Sequence, residues 1–207
     1  MVTLAGSSPS IWRRLDLAND LTLVEVHRVL QAAFDWYDGH LHQFVTDGPF
    51  PERFIDARMN AGPHATPEDD VRLDEVLAGP GEQLLYEYDF GDSWEHLLEV
   101  ESEHTRPKDA LRARVLDAAR AAPPEDCGGI FRYEYLIQHL DDPQVVEEIP
   151  FDFPEDPDYV DTEELDEAVQ FALTRRVEIR SQVAAEVHSS HITGEDRDVS
   201  EVDGTLC

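Results

Sequence analysis

Between Leu84 and Val100 the chain alternates apolar and polar residues in two runs, one on each side of Gly91-Asp92-Ser93. Leu84, Tyr86, Tyr88 and Phe90 share one face of the first run, and Trp94, His96, Leu98 and Val100 share one face of the second. Period-two alternation sends successive side chains to opposite faces of a strand, so the segment is expected to be a β-hairpin with one apolar and one mostly acidic face. Gly91 is the residue expected to supply positive φ in the connection, with Asp92 and Ser93 bonding the turn backbone. Asp89, Asp92 and His96 crowd the same turn.

The remaining pattern alternates strands with helices. Val2 to Leu17 reads as two strands around a turn at Ser7-Ser8-Pro9. Thr22 and Glu25 form a T-x-x-E capping box, Leu21 and Val26 can staple it, and Leu23, Val26, His27, Leu30 and Phe34 make one helical stripe ending by Gly39. His27 lies on that stripe and is read as a core histidine. From His40 the run HLHQFVT alternates as a strand, which would put His40, His42 and Phe44 on one face. Residues 46 to 82 read as an irregular excursion with one short element near Val71 to Leu77, and Arg106 to Ala122 as a mixed-charge helix or loop. PPEDCGG, Pro123 to Gly129, is a loop, followed by a short helix over Tyr133 to Leu140 and an acidic connector over Asp141 to Asp161. Asp161 and Glu164 cap a last helix with Leu165, Val169, Ala172 and Leu173 on its inner stripe. The pattern implies one α+β domain over residues 1–180, an antiparallel sheet of about five or six strands with helices packed on it, and an acidic, disordered tail over 181–207.

Composition narrows the functional classes. Of 207 residues, 46 are Asp or Glu and 16 Lys or Arg, a net charge of −30. Such a field repels polyanions, which disfavours direct binding of nucleic acid and makes a basic protein the candidate partner. No apolar run reaches the length of a membrane span and the start does not read as a signal peptide, so a cytoplasmic protein is expected. Cys127 and Cys207 cannot make a disulfide framework.

Candidate chemistry gathers around the hairpin. His40 and His42 at i and i+2 of a strand, with Asp92 and His96, have the residue types that bind a divalent metal, the candidate cofactor. Asp92, His96, Glu125, Asp126 and Cys127 are candidate catalytic groups, although Cys127 has no sequence-local base and reads first as part of a structural turn. Tyr88, Asp89 and Trp94 are candidate ligand-binding residues.

Four passages, PSIWRRLDL with LTLVEVHRVLQAAFDW and HLHQF, then YEYDFGDSWEHLLEVE, PPEDCGGIFRYEYL and DPDYVDTEELDEAVQFAL, resemble the plasmid pRiA ORF-three-like family over about Val2 to Leu173. That family includes an insertion-sequence passenger protein labelled TnpR, and the resemblance implies a compact α+β domain with an antiparallel sheet without implying an activity. Many relatives carry further cysteines just upstream of PPED, where this chain has residues such as Val115 and Ala122, so a Cys-cluster metal site is not available here. Relatives also tend to have Gly-Tyr where this chain has Arg132-Tyr133. Neither Ser93 nor any Tyr has the arginine-lined, DNA-binding surroundings that recombination would require. The leading reading is a non-enzymatic binding or accessory module that uses its aromatic sheet face and hairpin. The alternative is a metal-dependent, hydrolase-like enzyme with a His/Asp site at the hairpin end of the sheet.

Overall fold

The computed structural model describes residues 1–56, 58–59 and 65–174. Residues Met1–Leu173 form one compact unit, and the expected tail over 181–207 lies outside the described residues. The strands are β1 (Val2–Leu4), β2 (Trp12–Leu17), β3 (His42–Thr46), β4 (Arg53–Ile55), β5 (Thr66–Pro67), β6 (Gln83–Tyr88), β7 (Trp94–Glu99) and β8 (Ala113–Ala119). They form one sheet in the order β5-β4-β3-β6-β7-β1-β2-β8. The sheet is larger than the expected five or six strands and is mixed rather than wholly antiparallel, because β4 and β5 pair in parallel. The two extra edge strands escaped the pattern for different reasons. β5 has two residues, too few for any period, and β8 hides inside a run of arginines that reads as a helix. In β8 Ala113 and Val115 are buried and Arg114 and Leu116 point out, and a register shift before Ala118, which packs partly buried against the core, breaks the alternation.

The helices are α1 (Leu23–Ala33), α2 (Leu73–Val76), α3 (Gly129–Gln138), α4 (Pro143–Val146) and α5 over 162–174. α1 begins where the capping box predicts. The Thr22 hydroxyl accepts from the Glu25 N–H, and the Glu25 carboxylate accepts from the Thr22 N–H at 3.0 Å. At the other end of the fold, Asp161 Oδ1 accepts the N–H groups of Glu163 and Glu164 at the start of α5.

The inward face of the hairpin, Leu84, Tyr86, Tyr88, Trp94, His96 and Leu98, is buried in the same core as Leu23, Val26 and Leu30 of α1. Phe90 does not join it, because the inward alternation ends at Tyr88 and Phe90 is exposed on the turn. The aromatic face expected to meet a ligand is therefore the core of the molecule. Burying each such ring contributes about 2–3 kcal/mol, which is why this face packs inward and the acidic one does not.

One buried cation ties the helix to the sheet. Arg13, 1% exposed, donates Nε–H to the Ala33 carbonyl at the end of α1 at 2.7 Å. Its Nη1 donates to the carbonyls of Trp12, Ala119 and Arg120, and the guanidinium lies 4.8 Å from the Phe34 ring centre. Burial lowers this group to about 10, so it stays charged at neutral pH. Carbonyl oxygens at a helix C-terminus carry partial negative charge, which compensates a cation without an acidic partner. Arg13→Ala should therefore cost about 3 kcal/mol or more in urea unfolding, because it strands several buried acceptors, whereas Arg14→Ala on the exposed side should cost less than about 1 kcal/mol. Equal losses for the two variants would contradict this role for Arg13.

Candidate metal centre at the hairpin end of the sheet

The hairpin turn, Asp89 to Ser93, is shaped by its acids rather than by its glycine. Asp89 and Ser93 hold the positive φ values, +53° and +55°, and Gly91 does not. Aspartate tolerates the left-handed region better than most residues because its side chain can bond the local backbone. Asp89 Oδ1 does so, accepting the Gly91 N–H at 2.9 Å. Its own N–H donates to the Leu41 carbonyl at 3.0 Å, which ties the turn to the start of β3.

The Pro123–Gly129 loop closes on this turn from the other side. Asp92 Oδ2 accepts the Gly128 N–H at 2.8 Å, and Gly129, at φ +81°, approaches so closely that a Cβ there would lie 2.7 Å from the Asp92 carbonyl oxygen. A third segment, residues 36–40, is stitched to the same loop. Trp36 Nε1 donates to the Pro123 carbonyl at 2.8 Å, and the Tyr37 N–H and Tyr88 Oη–H both donate to Glu125 Oε1 at 2.7 Å. The His40 N–H in turn donates to Tyr88 Oη at 3.2 Å. Burial, followed by the Glu125 carboxylate, raises the Tyr88 phenol, which keeps it a donor.

These three segments bring His40, Asp89 and Asp126 together. His40 Nε2 is 3.1 Å from Asp126 Oδ1, and its Nδ1 is 3.7 Å from Asp89 Oδ1. One ring nitrogen and one oxygen from each carboxylate lie within 4.8 Å of one another. The two short contacts use opposite nitrogens of the ring, whereas two donors on one ion, each about 2.1 Å from it, sit about 3.0–3.4 Å apart, so one ion requires the imidazole or a carboxylate to turn until a single nitrogen faces both acids. Asp89 is buried, His40 half-buried and Asp126 exposed, so the group is walled on the sheet side and open on the loop side. Both carboxylates project from residues at positive φ, Asp126 at +57°.

The other expected site residues lie elsewhere. β3 begins at His42, so His40 sits before the strand and the two histidines do not share a site. His42 is buried, with Nε2 at 2.9 and 3.0 Å from the two oxygens of Glu68, and its ring stacks on His27 at 3.6 Å and 3°. A ligated ion lies in the plane of each imidazole, and two parallel planes 3.6 Å apart cannot share one. His96 is wholly buried against Phe34 and Trp36, with Nδ1 3.2 Å from the Trp94 carbonyl oxygen, and so lies in the core and not in the metal corner. Trp94 is buried beside Trp36. Cys127 is buried, and desolvation, then the charges of Asp92 and Asp152, push its thiol up to about 12, far from a nucleophile at neutral pH. Asp92 and Glu125 hold the loop and strand together. Glu68 was invisible in sequence, since it sits in the excursion over 46–82 where no period operates.

The model of the plasmid pRiA4b ORF-3-like proteins matches residues 1–166. The chain belongs to this family. His40, Asp89 and Asp126 all fall inside the matched residues. Uncharacterized protein y4hQ of Sinorhizobium fredii is 32% identical over 152 residues, covering 69% of this chain and 72% of that protein. The crystal structure of MM3350 from Methanosarcina mazei Go1, described as a protein of unknown function, aligns with a TM-score of 0.68 at 29% identity, covering 79% of this chain and 92% of that chain. The pRiA4b ORF-3-like fold is thus seen in a solved relative, and no helix of this chain's described residues is long and apolar enough to cross a membrane.

The buried histidine gives a pH signature. Desolvation pushes His96 down to about 3 from 6.5. Between those values the unfolded chain binds a proton that the folded chain refuses, so this group lowers stability as pH falls from about 6.5 toward 3 and contributes nothing above 6.5. The slope from one such group is at most about 1.4 kcal/mol per pH unit. Urea unfolding from about pH 7 to 4 should show a shallower loss in His96→Leu than in the wild type, and an unchanged slope would mean that His96 is protonated in the fold.

Proposed function

We propose that this protein binds a divalent metal ion through His40, Asp89 and Asp126 and acts there as a metal-dependent, hydrolase-like protein. The observation that supports this most is the convergence of one imidazole and two carboxylates, drawn from three separate segments, within 4.8 Å. One nitrogen and two oxygen donors suit Zn²⁺ or Mn²⁺ better than Cu(I), and three protein ligands with an open side resemble a catalytic site more than a structural one. An ion held so would lower the pKa of a bound water toward about 7. The chain's own part is to hold the ligands. Asp89 is fixed by its Gly91 bond, and the Asp126 loop by Glu125 and Asp92. With Glu125 and Asp92 adding to the two ligand carboxylates, the neighbourhood favours a neutral or cationic substrate over a phosphorylated one.

The module reading keeps support only on other surfaces, because Tyr88 and Trp94 are buried. Calorimetric titration of untagged protein with Zn²⁺ and Mn²⁺ should give about one equivalent of saturable binding, weakening as pH is lowered because protons compete for the imidazole. His40→Ala, Asp89→Asn and Asp126→Asn should each weaken it about tenfold or more, and His104→Ala, whose ring pairs with Asp16, should not. Absence of saturable binding, or equal affinity in the three ligand variants, would overturn the reading.

A further inference from the structure

The sheet face turned away from the core carries a second pattern, visible only once the register is known. Val45 lies opposite Leu85, Leu85 opposite Leu97, Leu97 opposite Thr3, and Thr3 opposite Trp12. These side chains make one row across β3, β6, β7, β1 and β2. At about 4.8 Å between strands, the row is about 19 Å long. Val45, Leu85, Leu97 and Trp12 belong neither to the buried core nor to the hydrophobics packed against it, and Leu97 is 37% exposed.

Acids flank the row. Two residues along the strands, Glu87 lies directly opposite Glu95 on one side, and Glu99 lies opposite Gln83 on the other. Like charges placed opposite each other destabilise a sheet. The oxygens of Glu87 accept from Gln43 Nε2 and Ser93 Oγ, and Glu99 accepts from Gln83 Nε2, all neutral donors that leave the charge in place. Two arginines stand at the ends of the row. Arg53 lies opposite Val45, and Arg14 lies over the Trp12 ring, with its charge paired to Glu101 at 2.9 Å.

We propose that this row is the docking surface for a basic amphipathic helix of a partner protein. The apolar stripe of such a helix would cover Val45, Leu85, Leu97 and Trp12, with lysines or arginines on its flanks reaching Glu87, Glu95 and Glu99. A helix rises 1.5 Å per residue, so about 13 residues span the row. Charge complementarity selects this occupant. A nucleic acid would meet the carboxylate flanks with its phosphates, and a second copy of the chain would set the same glutamates against each other, which is a like-charge interface. The proposal does not depend on the metal centre.

Trp12 supplies its own probe, because it is partly exposed whereas Trp36 and Trp94 are buried. The ligand to use is a synthetic Leu/Lys peptide of about 18 residues with leucines at helical i, i+3, i+4 and i+7 spacing. At about 0.15 M salt, where the Debye length is about 8 Å, it should blue-shift the emission saturably with a micromolar Kd, and a scrambled peptide of equal charge should bind about tenfold more weakly. Leu97→Asp should weaken binding about tenfold even though it adds a negative charge, and Glu87→Gln with Glu95→Gln should weaken it and flatten its salt dependence. Circular dichroism checks that Leu97→Asp is folded, and if it is not, Leu97→Ala takes its place with an expected loss of about threefold. Three results would overturn the proposal: no saturable shift, equal or tighter binding in the folded Leu97 variant, or a wild-type dimer by sedimentation that the Leu97 variant dissociates.

Discussion

The contact between the hairpin turn and the Pro123–Gly129 loop is the constraint on which the rest of the candidate site depends. Gly129 could not carry a Cβ without displacing the Asp92 backbone, and Gly128 donates its N–H to the Asp92 carboxylate. The close approach of this turn and loop uses two glycines held in the left-handed region, where a side chain would cost about 1–2 kcal/mol in each residue, and the Glu125 and Pro123 bonds to Tyr37, Tyr88 and Trp36 hold the loop from the other side. Once the two segments are locked, Asp89 on one and Asp126 on the other have little choice but to face the same histidine. Repulsion between the two carboxylates in a partly buried corner is the electrostatic cost of that closure, and a cation is the natural compensation.

The same balance of buried charge runs through the fold. Arg13 is compensated by backbone carbonyls rather than by an acid, and His27 by Tyr86 Oη and Asp38, with burial lowering its pKa. In a protein of net charge −30, the buried Arg13 is held by a helix end and strand carbonyls, whereas the buried Arg120 pairs with the acids Asp158 and Glu134. The surplus acid is carried on the outside, which leaves the outer sheet face and the hairpin end electronegative. Those are the two places where the structure presents recognisable chemistry.

Much of the architecture was legible beforehand because it depends on short-range periodicity. The hairpin, the capped α1 and the Asp161 cap follow from alternation and from i to i+3 side-chain bonds, which tertiary packing did not override. β8 was not legible, since a register shift breaks its alternation after Val115 and its arginines mimic a solvated helix. The site was partly legible. Asp89, Asp126 and His40 were each singled out, but under different roles. Alternation wrongly extended β3 back through His40 and so paired it with His42, whereas Gly39 and the Tyr88 hydrogen bond break the strand before it. Which acids share a corner depends on positive φ at Asp89 and Asp126 and on long-range docking, and no local pattern encodes either.

Anomalous diffraction from crystals soaked in Mn²⁺ or Zn²⁺, recorded at the absorption edge of the metal, tests the central claim most directly. The account predicts one dominant peak about 2.0–2.2 Å from a ring nitrogen of His40 and from an oxygen of each of Asp89 and Asp126. A peak elsewhere with none at this corner, or clear density showing His40 simply hydrogen-bonded between the two carboxylates at saturating metal, would contradict it.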